Sequence, residues 1–245
     1  MTPILQNSIP YDVSEHPKLP GVKPCDMEEI LIRDEAHAGQ MAERDRLLRD
    51  HRAAVLQIRK DALPAAQELL ELVLGLAYPD AGAHPAQVTR PDGVSVAVDF
   101  DDPMGSLGRL VQEDFCILQK QGDEHVLTGA VLCFPASWML SEKFERPLIG
   151  IHEPVESYDA PIAARVQRLF DGVQPGRPLW RFNALPYNDP SLHLPRSQYD
   201  RRDDRHDEEA GYVRSERQVI VRLPQTRTVV FAIHTFIVAR DDDTG

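Results

Sequence analysis

Most of the short patterns that announce a chemistry are missing from this 245-residue sequence. It has no Gly-x-Gly-x-x-Gly, no phosphate-binding loop, no Gly-x-Ser-x-Gly and no His-Glu-x-x-His, which counts against the common nucleotide folds, serine hydrolases and zincins. Cysteine is scarce: Cys25, Cys116 and Cys133 form no Cys-x-x-Cys pair and cannot all pair with one another. Free thiols in a reducing compartment follow, with Cys116 and Cys133 buried as small hydrophobes in apolar runs. No apolar run approaches the roughly 20 residues of a membrane span. The start, Met-Thr-Pro-Ile-Leu-Gln-Asn, has neither a basic nor an apolar leader segment. A cytoplasmic protein without membrane contact is expected. Basic residues are also short, 27 Lys and Arg against 39 Asp and Glu for a net charge of −12, so a nucleic-acid backbone would be repelled rather than bound.

What is present is ordinary for a soluble core: 42% hydrophobic and 27% charged residues. Residues 1–24, with Pro3, Pro10, Pro17, Pro20 and Pro24, read as an extended arm. Residues 25–240 read as one domain. Asp26 with Glu29 three residues on has capping-box spacing and predicts a helix start. Met41, Leu48 and Val55 recur every seven, with Leu47, Ala54 and Ile58 widening the stripe, as in an amphipathic helix. A further helix is predicted from Pro64 to Ala77. Residues 79–106 read as a long loop with at most one brief strand near Val94, Val96 and Val98. Asp114–Lys120 and His125–Phe134 flank Gln121-Gly-Asp-Glu124 as a β-hairpin. Residues 158–170 suggest another helix, residues 175–183 a loop, and 199–210 a charged, solvated loop. Tyr212–Leu223 and Thr228–Ala239 form the clearest hairpin. Helices early and antiparallel strands later make an α+β domain.

Several polar residues sit in apolar or aromatic surroundings. His152 lies between an apolar run and Pro154, which disfavours helical geometry at Glu153, so an element ends there and a side chain can be presented. The plainer reading is a core histidine hydrogen-bonded to backbone. Glu216 shares a side of its strand with Tyr212, Arg214, Gln218 and Ile220, as a paired surface charge or as the carboxylate of a pocket. Arg217 breaks the apolar side and requires an anion. His234, in Val230–Val238, reads as a hydrogen-bonded sheet histidine. Trp180–Pro190 mixes aromatic and polar groups in a Pro-punctuated loop of the kind found at ligand pockets. Lys143, Arg146 and Arg181 are further cations.

Three stretches together resemble the haem-dependent oxidative N-demethylase alpha-subunit family. They are Cys133-Phe-Pro-Ala-Ser-Trp-Met-Leu-Ser-Glu-Lys143 with Pro147-Leu-Ile-Gly-Ile-His-Glu-Pro-Val155, then Trp180-Arg-Phe-Asn183 with Asp189-Pro190, then Val213-Arg-Ser-Glu-Arg-Gln218 with Arg222-Leu-Pro224. The resemblance implies a PAS-like α+β fold: N-terminal helices followed by an antiparallel sheet, holding b-type haem. With no Cys-x-x-Cys-His the haem would be non-covalent. It further implies oxidative removal of a methyl group from a small methylated amine by oxygen, with electrons from a flavin and iron–sulfur reductase. Carried over, His152 is the implied axial iron ligand and His234 the alternative. Arg217, Arg181 and Lys143 would meet haem propionates, Trp138 and Trp180 would wall the macrocycle, and Glu216 would bind the amine or relay protons. Ala184 stands where the family often has Trp, which would reshape the pocket. The same pocket without turnover would make a haem or small-molecule sensor.

Overall fold

The apolar runs of the sequence assemble into a seven-stranded sheet flanked by helices in a computed structural model describing residues 2–14, 20–152, 160–200 and 209–240. The side chains of residues 152, 160 and 161 are outside the description, as are residues 201–208 of the expected charged loop. In chain order the strands are β1 (Lys23–Pro24), β2 (Leu56–Ile58), β3 (Gln87–Thr89), β4 (Ser95–Ala97), β5 (Asp114–Gln121), β6 (Glu124–Val131), β7 (Leu179–Tyr187), β8 (Tyr212–Arg222) and β9 (Val229–Ala239). The helices are α1 (His37–Asp50), α2 (Arg52–Val55), α3 (Leu63–Ala77), α4 (Pro103–Leu110), α5 (Leu140–Lys143), α6 (Leu148–His152) and α7 (Ala160–Gly172). The main sheet runs β1-β7-β8-β9-β5-β6-β2, every pair antiparallel, and β3 pairs with β4 apart from it.

Period-2 alternation gives each strand two working faces. Val219, Val221, Val230, Ala232, Phe115 and Ile117 turn to one side, where they meet Leu47 and Leu48 of α1, Leu70 and Leu74 of α3, and Met104 and Leu107 of α4. Cys116, Leu118, Ile220 and Ile233 turn to the other, where they meet Leu140 of α5, Leu148 of α6 and Val166 and Phe170 of α7. Gly108 lets α4 sit close to the sheet: a Cβ there would lie 2.7 Å from Val131 Cγ2 and 2.9 Å from Leu48 Cδ1. The β5–β6 turn is the two-residue Gly122-Asp123 loop between paired Gln121 and Glu124, with Gly122 at φ 61° as a primed turn requires.

Several expectations are revised. Asp26 opens only a 3-10 turn, Met27–Ile30, although its backbone N–H does donate to Glu29 Oε2 at 2.9 Å. The amphipathic run is not one helix. It breaks at His51 (φ −132°, ψ 28°), and Ile58 belongs to a sheet strand whose own partner is Gly129. Residues 79–106 hold two short strands and the start of α4, which Asp102 caps by accepting from Gly105 N–H at 3.3 Å ahead of Pro103. The Trp180–Asn183 loop is instead strand β7. Pro186 is tolerated there because β1 covers only Leu179 and Trp180, leaving the rest of that side as an edge. Nor do the helices all precede the sheet: β2 interrupts them, and α5, α6 and α7 fall between β6 and β7.

Candidate functional site

Because β7 is a strand, its register against β8 decides which candidate residues meet. Arg181 pairs with Gln218 and Asn183 with Glu216, so these four side chains share a face, together with Thr235 opposite Glu216 on β9. It is the face covered by α5, α6 and α7. Asn183 Nδ2 donates to Glu216 Oε2 at 3.1 Å, and Asn183 Oδ1 accepts the Glu216 backbone N–H at 3.1 Å. Gln218 Nε2 donates to the same Oε2 at 3.0 Å, while its Oε1 accepts from Arg181 Nη1 at 3.1 Å. The carboxylate is thus clamped by two amides and only 8% of Glu216 is exposed.

Arg181 is held less completely. Burial lowers its pKa, with the Glu216 charge acting the other way, and its Nε is buried without a partner. Thr235 Oγ1 is likewise buried and unpartnered. Lys143 lies at the end of α5, only 3% exposed, with its Nζ 3.4 Å from Gln198 Oε1. Trp138 packs beside Leu140 on this face, over an apolar floor of Cys116, Leu118, Ile220 and Ile233. Burial pushes the Cys116 thiol pKa up, which keeps it a neutral part of that floor. His152 is the last described residue of α6, and its ring is outside the described residues.

The remaining candidates face the opposite way. Arg217 donates to the Glu29 backbone carbonyl at 2.7 Å and stacks its guanidinium 5.0 Å from the centre of the Trp180 ring. Tyr11, from the N-terminal arm, packs on Trp180, Phe182 and Phe236 and shares a hydrogen bond of 2.9 Å with Ser215. Burial lifts the Tyr11 hydroxyl pKa to about 12. His234 is buried with Nδ1 3.0 Å from Glu113 Oε1 and Nε2 3.0 Å from Asp34 Oδ2. Burial works against its charge, but the hydrogen bonds to Asp34 and Glu113 prevail and raise its pKa to about 9. An imidazolium donating at both nitrogens has no lone pair for a metal.

The arrangement therefore separates Glu216, Arg181, Lys143 and Trp138 from Arg217, Trp180 and His234. Sequence reasoning did not anticipate Asn183 and Gln218 as clamps of Glu216, nor Thr235. The signal lay in the alternation of Trp180, Phe182 and Ala184 with Arg181, Asn183 and Leu185, which marks a strand once Pro186 is allowed at an edge. Nor did it anticipate Asp34 and Glu113 around His234, since both lie outside strands. What the first face can do chemically is bind a group that donates to Glu216 beside one that accepts from the Arg181 guanidinium, above an apolar platform. Residues 21–242 match the family described as haem-dependent oxidative N-demethylase, alpha subunit-like. That match takes in both faces of the sheet and nearly the whole chain, and the protein belongs to this family.

Proposed function

We propose that this chain is a PAS-like, haem-binding oxidoreductase subunit that removes a methyl group from an amine. The observation that carries the reading is the Glu216 face: a clamped, nearly buried carboxylate linked through Gln218 to Arg181, above an apolar floor. A haem is a broad apolar plate with two carboxylates, so it suits a face with an apolar floor, an indole and the cations Lys143 and Arg181. In this reading His152 of α6 would ligate the iron, Lys143 would meet a propionate, and Trp138 would lie against the ring. Bound haem supplies the redox-active iron and the activation of dioxygen. The chain's own residues supply the rest. Glu216 accepts the amine N–H at Oε1 and so fixes where the N-methyl group points. Asn183 and Gln218 hold that carboxylate still, and the apolar floor excludes water. The overall change takes R–NH–CH3, dioxygen, two electrons and two protons to R–NH2, formaldehyde and water. The electrons come from a flavin and iron–sulfur reductase partner. Arg217, Trp180 and His234 are left to the scaffold.

The test is the visible spectrum of protein expressed with haem precursor. A Soret band that shifts on reduction is expected, with the band lost or moved in His152→Ala, and formaldehyde release from reduced protein given oxygen and dimethylamine. A colourless protein that takes up no added hemin overturns the reading. An unchanged spectrum in His152→Ala removes that residue as ligand.

A further inference from the structure

The Glu216 neighbourhood holds unmet hydrogen-bonding capacity of two opposite kinds. Both amides that reach the Glu216 side chain end on Oε2, at 3.1 Å from Asn183 and 3.0 Å from Gln218, which leaves Oε1 as an open acceptor. One strand over, Arg181 commits Nη1 to Gln218 at 3.1 Å and leaves Nε an open, buried donor. The two charges lie near enough for Glu216 to support the Arg181 charge, yet they form no ion pair with each other. Gln218 lies between them, bonded to both.

We infer that Glu216 and Arg181 are the two ends of a site for a zwitterion, and that the substrate is an N-methylated amino acid rather than a simple methylamine. The inference rests on the reading of the Glu216 face given above and names its substrate class. The substrate ammonium donates to Glu216 Oε1, and its carboxylate accepts from Arg181 Nε. A dialkylamine has donors only. It would satisfy Glu216 and leave the buried Nε unpaired, at a cost of about 1–3 kcal/mol. A ligand with an ammonium and a carboxylate a few bonds apart satisfies both ends and matches the order of the two charges. A site of this kind discriminates strongly, because a ligand lacking either group leaves a desolvated polar atom behind. Thr235 Oγ1, buried opposite Glu216, is a further open polar atom on the same face. A haem propionate carries the same carboxylate chemistry and is the other source that could fill Arg181.

Calorimetric titration of the purified, haem-supplied protein with N-methylglycine and with dimethylamine separates these. N-methylglycine should bind tighter by about tenfold or more, as the unpaired donor requires. Arg181→Gln should erase that preference, with dimethylamine affinity and Soret absorbance per protein unchanged. Equal or tighter binding of dimethylamine overturns the inference. So does an Arg181→Gln protein that loses haem but keeps the preference, since Arg181 then serves a propionate. Protein that binds no haem yet takes N-methylglycine in an Arg181-dependent way would uphold the inference while the haem reading falls. Haem-replete protein that binds neither ligand would do the reverse. Thermal melting of each variant establishes that it is folded.

Discussion

Adjacent residues of one strand meet opposite conditions in this protein. Arg217 and, across from it, His234 point into the side packed by the early helices and the N-terminal arm, where nearly every polar atom is matched. Glu216 and Thr235, one residue further along, point into the side packed by α5, α6 and α7, where matching stops short. On the first side Asp34 also accepts from Gln112 Nε2 at 2.8 Å and Gln6 Nε2 at 2.9 Å, and Gln112 Nε2 donates to Gln40 at 2.9 Å. Among the described residues the lapses there are Glu113 Oε2 and Gln119 Oε1. The contrast teaches that burial alone does not mark a binding face. Unpaired buried donors beside a clamped acceptor do.

The comparison breaks most easily on the helical side. Arg44 is wholly buried and donates to Asp114 Oδ1 at 2.7 Å, and to the carbonyls of Gly108, Gln112 and Glu113 at 2.9, 3.1 and 2.7 Å. Asp114 in turn accepts from Cys133 and Phe134 N–H at 2.7 and 2.8 Å. Asp114→Ala strands the guanidinium and two amides, and urea unfolding should register a loss of about 3–5 kcal/mol.

Next comes pH. The His234 pKa is about 9 in the folded protein, against about 6.5 unfolded, so its contribution is complete below about 6.5 and disappears as pH rises through 9. Asp34 behaves conversely. Burial raises its pKa, but hydrogen bonds to His234, Gln112 and Gln6 outweigh that and hold it near 2, so its share is lost as pH falls from about 4 towards 2. Denaturation from pH 6 to 9.5 should show wild-type stability declining by a few kcal/mol, with His234→Gln lower at pH 6 and nearly flat. Equal slopes would contradict the bridged imidazolium.

The smallest effect is expected at Arg181. With Nε unpaired and a single amide partner, Arg181→Gln should change unfolding free energy by less than about 1 kcal/mol. A loss as large as that of Asp114→Ala would mean the two sides are equally saturated.

Much of the fold was legible because period and punctuation agree. Met41, Leu48 and Val55 are all fully buried or nearly so, and the terminal hairpin occupies the expected strands. The α3 helix begins at Leu63 with Pro64 in its first turn, as proposed from that proline. β7 was illegible because Pro186 and mixed polarity imitate a loop, and the sheet edge that permits them is a tertiary fact. β2 is three residues long and continues a helical apolar stripe, so no local pattern distinguishes it. For the site, strand alternation put Glu216 and Gln218 together correctly. Membership of opposite faces for Arg181 and Trp180 needed the strand assignment of β7 first.

The N-terminal arm has a consequence for how the chain acquires this structure. Gln6 donates its backbone N–H to the Ile237 carbonyl at 2.9 Å, and its Oε1 receives the Ile237 N–H at 2.8 Å. This clasp joins positions separated by most of the polypeptide, so forming it closes a very large ring. Ring closure grows costlier only with the logarithm of length, but little of that cost is recovered until β9 has found its place beside β5. The arm should therefore fasten last, and a permuted chain that joins the two ends and opens at the Gly122-Asp123 turn would make the clasp a local event.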